Sequence, residues 1–120
     1  MKDEQKRASV LLHPSSLILH PSEMVVGTLE ARLLVRESRT LKDKRQVVRS
    51  VLDRIKGAFN VSAAEVDTHD DVKVATLAFA AVGFEHAAVQ GVLQQIAEAL
   101  RKHPVAEYLG GETNVGSEVV

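Results

Sequence analysis

From Val25 to Val35 apolar or small residues occupy every second position, Val25, Gly27, Leu29, Ala31, Leu33 and Val35, while Thr28, Glu30 and Arg32 stand between them. Side chains alternate across a strand with period two, so this stretch buries one face as a β-strand and could not do so as a helix. Beyond it the period changes. Thr40, followed three places later by Asp43, has the form of a helix N-cap and its reciprocal acidic partner. Leu41, Val48, Val51, Leu52, Ile55 and Phe59 then fall on one side at about 100° per residue. The pattern predicts a strand, a polar connection R-E-S-R-T at 36–40, and an amphipathic helix ending between Gly57 and Asn60.

Val61 to Asp67 is a short β-prone run, Thr68-His69-Asp70-Asp71 is turn-like, and Val72 to Val82 is a longer run with apolar residues on both faces. A second amphipathic helix is predicted from 85 to 102, with Val89, Val92, Leu93, Ile96 and Leu100 inward and Pro104 as its stop. Val105 to Val115 supplies a last strand in which Gly110-Gly111 is expected to force a bulge or weaken the pairing. The order βαββαβ is that of an α+β, ferredoxin-like domain: a four-stranded antiparallel sheet with two helices on one face and the first and third strands innermost. Its other face is uncovered, and is solvated, buried in a homodimer or used as a ligand platform. If Lys73 points to that face, Leu77 and Phe79 point there too by period two and make it an apolar interface patch.

The chain has 120 residues, enough for one domain, expected over 24–115 with a frayed tail at 116–120. Residues 1–23 carry a mixed-charge run and two L-H-P-S segments without periodicity, and are expected to be a flexible extension, with Met24 as the biological start. His13, Pro14, Ser15 and Ser16 interrupt the apolar run a secretory signal requires. No apolar stretch approaches the roughly 20 residues that cross a bilayer. The expectation is a protein without membrane association, in the cytoplasm.

Cysteine is absent, which excludes thiol nucleophiles, thiolate zinc sites and disulfide scaffolds. Tryptophan is absent too, and Phe59, Phe79, Phe84 and Tyr108 are too few for a base-stacking platform. The turn Asp67-Thr68-His69-Asp70-Asp71 brings oxygen and imidazole groups together, but without ligand spacing no metal site is expected. No nucleophile, acid–base pair or cofactor motif is recognisable, so catalytic residues and cofactors are expected to be absent and the protein to be no enzyme.

Charge is the positive signal. Eight of the 15 Lys and Arg lie between residues 36 and 56 against the acids Glu37, Asp43 and Asp53, so this segment is +5 and the remainder −6. Lys42, Arg45, Arg49 and Lys56 fall within roughly 60° of one another on the helical wheel. Lys42, Lys44 and Arg45 also occupy the first turns, where the helix dipole disfavours cations. With Arg36 and Arg39 in the preceding loop they form a candidate phosphate-binding surface: Arg36, Arg39, Lys42, Lys44, Arg45, Arg49 and Lys56. A solvated helix face rich in Lys and Arg for helix propensity accounts for the same residues.

At L-K-D-K-R-Q-V-V-R-S (41–50) and F-N-V-S-A-A-E-V (59–66) the chain resembles the YlxP-like family of small bacterial proteins, a domain of unknown function. The likeness extends from Met24 to Val115, with Val72 where similar sequences commonly carry an aromatic residue. It implies a ferredoxin-like fold and a link to RNA or ribosome maturation, because family members are often encoded beside translation and ribosome-assembly factors. The expected partner is then ribosomal RNA or the small ribosomal subunit, bound by the basic helix. The alternative is a homodimeric or partner-binding module that uses the uncovered sheet face.

Overall fold

A computed structural model describes residues 24–117. The elements are β1 (Val25–Leu34), α1 (Leu41–Ala58), β2 (Ser62–Val66), β3 (Val74–Gly83), α2 (His86–Arg101) and β4 (Glu107–Gly116). The strands form one antiparallel sheet in the order β2-β3-β1-β4, and both helices pack on the same face. This is the ferredoxin-like arrangement, with β1 and β3 as the inner pair.

Local chemistry sets the boundaries. Thr40 Oγ1 accepts from the Asp43 N–H at 3.0 Å while Asp43 Oδ2 accepts from the Thr40 N–H at 3.2 Å, a closed capping box that starts α1. β3 begins at Val74, two residues later than the apolar run suggests. Asp71 Oδ1 accepts from the N–H groups of Lys73 and Val74, both at 2.8 Å, and holds Val72 and Lys73 in the turn. β4 pairs with β1 through a register shift that leaves Leu109 unpaired between Tyr108 and Gly110. Gly110 has φ +146°, a conformation that L side chains rarely adopt, so the bulge falls at the diglycine. β4 then continues through Gly116, one residue beyond the expected domain limit. Residues 1–23, and the expected start at Met24 that depends on them, lie outside the described residues, as do 118–120.

The core lies between the sheet and the helices. Leu29, Ala31 and Leu33 of β1 and Ala75, Leu77, Phe79 and Ala81 of β3 meet Val48, Val51 and Ile55 of α1 and Val89, Leu93, Ile96 and Leu100 of α2. Leu77 is 0% and Phe79 1% exposed, so neither belongs to the uncovered face. Lys73 precedes the strand and its side chain turns back to the Arg36 and Ser38 carbonyls, at 2.6 and 2.7 Å. It therefore does not report the parity of β3. That parity follows from burial: the odd positions of β3 carry its large apolar side chains and go under the helices. The uncovered face instead carries Thr28, Glu30 and Arg32 of β1 and Ala78, Ala80 and Val82 of β3.

α2 lies over β1, β3 and β4, and α1 over β2. Its close approach depends on Gly27, where an added Cβ would sit 2.5 Å from Val89 Cγ1 and 2.8 Å from Leu93 Cδ1. Gly27→Val overpacks this contact and is expected to cost about 1–3 kcal/mol, measured as a lowered midpoint in denaturant unfolding at unchanged slope.

Candidate nucleic-acid interface

The basic segment is divided by the fold into three groups with different surroundings. Lys42, Arg45, Arg49 and Lys56 are exposed on the outer side of α1 and form no ion pair with any described residue. At 1.5 Å per residue they extend over about 21 Å of helix. This is the ridge expected from the wheel, and Asp53 lies along it.

Arg36 does not face the ridge. The end of β1 runs beside the start of β4, where Leu34 is opposite Glu107, and Arg36 donates from Nε to Glu107 Oε1 at 2.9 Å, with its terminal nitrogen at 2.7 Å. Both partners are exposed, so the bridge is weak, but it turns the guanidinium toward β4. Arg39 is exposed at the start of α1, where its N–H donates to Asp43 Oδ2 at 3.0 Å. That hydrogen bond leads the interactions that hold the Asp43 carboxyl below its ordinary value; Thr40 adds to them, and burial opposes them. The N-terminus of α1 is therefore occupied by its own carboxylate. Of the expected phosphate-binding groups, Arg36 is drawn to Glu107 and the Arg39 N–H to Asp43, while the Leu41 and Lys42 N–H groups have no hydrogen-bond partner among the described residues.

Lys44 leaves the interface altogether. Its side chain is 0% exposed, and its ammonium donates to Glu65 Oε2 at 2.8 Å, to the Thr68 carbonyl and to the Val74 carbonyl at 3.1 Å. All three N–H groups are used, as a buried ammonium requires. Glu65, 9% exposed, also accepts from Thr68 Oγ1 at 2.9 Å, and Thr68 Oγ1 accepts from the Thr76 N–H at 2.7 Å. The signal was present in the sequence: Lys44, Val48, Val51 and Ile55 follow i, i+4, i+7, i+11, which puts Lys44 in the middle of the apolar stripe. Its partner on β2 could not be read, because the ladder that brings Glu65 beneath α1 is tertiary.

The turn Asp67–Asp71 is organised by the Thr68 carbonyl, which accepts from the Asp71 N–H at 3.0 Å, and by Asp71 Oδ1, which accepts from the Val74 N–H, and Asp67 adopts φ +64° where the chain leaves β2. Among the described residues no three His, Asp or Glu side chains converge on a point. No helix among them is long and apolar enough to cross a membrane. A cleft of about 910 Å³ beside α2, which charge counting did not single out, is lined by Arg54, Glu98, Arg101, Lys102 and Tyr108. Arg101 stacks on the Tyr108 ring at 4.8 Å. His103, two residues after Arg101, accepts at Nδ1 from the Val105 and Ala106 N–H groups, both at 3.2 Å. Burial, reinforced by the positive charge of Arg54, holds this imidazole below its ordinary 6.5.

Lys44→Met leaves the Glu65 carboxylate buried without its cation and is expected to cost about 3–5 kcal/mol, whereas Lys44→Met with Glu65→Met is expected to recover part of that loss. Chemical denaturation of the two variants decides. For His103, an NMR titration is expected to give a midpoint below 6.5. The unfolded chain takes up the proton first, so this residue's contribution is complete above the unfolded pKa and is lost as pH falls toward and through the folded one. His103→Gln should flatten that part of the pH–stability curve.

Residues 26–113 match the family described as "Protein of unknown function (DUF503)". The chain is 27% identical over 81 residues to the "Uncharacterized protein YlxP" of Bacillus subtilis (strain 168), an alignment that covers 68% of this chain and 88% of that protein. The match takes in every strand and both helices, ending within β4, and the chain belongs to the DUF503 family.

Proposed function

We propose that this protein is a non-enzymatic cytoplasmic factor that docks on structured RNA, in the ribosome or its precursors, through the exposed face of α1. The observation that carries the reading is the row Lys42, Arg45, Arg49 and Lys56, four exposed cations without an ion pair to any described residue. Lys42 and Arg45 stand in the first turns of α1, where each opposes the helix dipole by about 0.3–1 kcal/mol. A surface chosen for stability would carry acids there. Arg39 continues the row at the N-terminal end, Arg36 is held by Glu107, and Lys44 is assigned to the fold.

The contact is to phosphate and reads no base sequence. An α-helix holds its cations in a straight, stiff line, and the nearby surface offers no exposed aromatic ring for stacking, since Phe84 lies at the end of the sheet. These features suit the backbone of a folded duplex rather than splayed single strands.

With about four phosphates neutralised, affinity for ribosomal RNA or small ribosomal subunits is expected to fall about 100-fold between roughly 50 and 200 mM salt. A variant with Lys42, Arg45, Arg49 and Lys56 all changed to Glu, which retains Lys44 and so the fold, is expected to lose binding at every salt concentration. Wild-type protein that fails to bind at low salt, or a charge-reversed variant that binds as well as wild type, overturns the reading.

A further inference from the structure

The cleft beside α2 lies outside the basic ridge and carries features that the fold does not require. At about 100° per residue Gly91, Gln95, Glu98 and Lys102 fall on the side of α2 opposite its buried residues. Arg54 of α1 bounds the cleft on one flank and Tyr108 of β4 on the other. Its volume of about 910 Å³ is within the ~300–1,000 Å³ of small-molecule sites.

Gly91 is the first such feature. It stands in the interior of α2, where glycine weakens a helix relative to alanine. Its φ is not positive, and no described atom lies within 4 Å of where its Cβ would be. Neither backbone conformation nor packing therefore calls for glycine, in contrast to Gly27. What the missing side chain provides is a flat patch of helix backbone that a ligand can approach closely. Gln94 and Gln95, three and four places on, are its neighbours on the helix surface, and their exposed amides both donate and accept.

Charge is the second feature. Arg101 is engaged by Glu98 at 3.2 Å and by the Tyr108 ring, so these charges offset each other. Arg54 and Lys102 are exposed and form no ion pair with any described residue. The lining residues thus carry a net charge of +2. Lys102 is about 100° round the helix from Arg101, away from β4 and toward the α1 flank where Arg54 lies.

We propose that this cleft binds an adenine nucleoside monophosphate, with its phosphate between Arg54 and Lys102 and its base on Gly91, flanked by Gln94 and Gln95. A phosphate monoester carries about −1.5 to −2 charges at pH 7, which matches the uncompensated charge of the cleft. A glutamine amide pairs with the N6 and N7 edge of adenine in bidentate fashion. Lys102 is about 16 Å along the axis from Gly91. Its side chain leans back toward the helix N-terminus, which shortens the gap to the span of a nucleotide from phosphate to base. The inference is independent of the RNA reading, since Arg54 lies at least about 120° round α1 from every residue of the ridge.

Calorimetric titration of the full chain with AMP tests the proposal, and a dissociation constant below about 1 mM is expected. Adenosine and inorganic phosphate, each supplying half of the ligand, should bind at least about tenfold more weakly. Arg54→Gln with Lys102→Gln changes exposed side chains, so the thermal melt should match wild type while AMP affinity falls at least about tenfold. Gly91→Gln should melt at or above the wild-type temperature, because it replaces an interior glycine, and yet lose AMP binding by a similar factor. The variant with Lys42, Arg45, Arg49 and Lys56 changed to Glu should bind AMP as wild type does. Wild-type protein that fails to bind at about 10 mM AMP, inorganic phosphate that binds as tightly as AMP, or AMP binding indifferent to either cleft variant overturns the proposal. A lowered melt in Gly91→Gln, or AMP binding lost with the ridge, does so as well.

Discussion

Lys44 is the interaction on which the arrangement of α1 depends. β2 has only five residues, and of those that face the helix only Ala63 is apolar, which offers little surface to hold α1. The ammonium of Lys44, fully buried and saturated by Glu65 and the Thr68 and Val74 carbonyls, ties the first turns of α1 to this short edge strand and to the turn that follows it. Lys73 makes the second tie, reaching from the same turn to the Arg36 and Ser38 carbonyls before α1. Together the two lysines fix the rotation of α1 about its own axis. With Lys44 facing inward, Lys42, Arg45, Arg49 and Lys56 must face outward.

A buried lysine is costly to desolvate, and an apolar residue of similar volume is often as stable or more so. What the ion pair adds is a defined register between helix and strand, since only one rotation of α1 brings the ammonium to its three acceptors. The acidic cap acts in the same corner. Asp43 closes the N-terminus of α1 onto Thr40 and Arg39, and the cations that face solvent stand as point charges on a stiff rod.

The sheet has two unlike faces. Its inner face is filled by Leu29, Ala31, Leu33, Leu77 and Phe79 under the helices, and the approach of α2 is made possible by the missing side chain at Gly27. Its outer face carries Ser62, Ala64, Ala78 and Ala80 on β2 and β3 beside Thr28, Glu30, Glu112 and Asn114 on β1 and β4. The charged helical surface and the outer sheet surface therefore point in opposite directions.

Much of this was legible in the residues. The alternation at Val25–Val35, the Thr40/Asp43 cap, the Pro104 stop and the Gly110 bulge are local in origin, because backbone sterics and hydrogen bonds to near neighbours set them, and they sufficed for the βαββαβ order and the four-stranded sheet. The ridge at Lys42, Arg45, Arg49 and Lys56 was legible for the same reason, since helical geometry alone puts those residues on one side. What depended on contacts between distant segments was not. Arg36 is taken up by Glu107 because β1 ends beside the start of β4, and Lys44 is withdrawn from the surface because β2 brings Glu65 beneath α1. Leu77 and Phe79 are buried because the parity of β3 is set by what packs against it, a relation that apolar residues on both faces of the strand leave undetermined. Sequence by itself determined the elements and which cations share a helix face; only tertiary structure decided which charges stay free, because neutralising a charge requires a partner that the chain brings near only by folding.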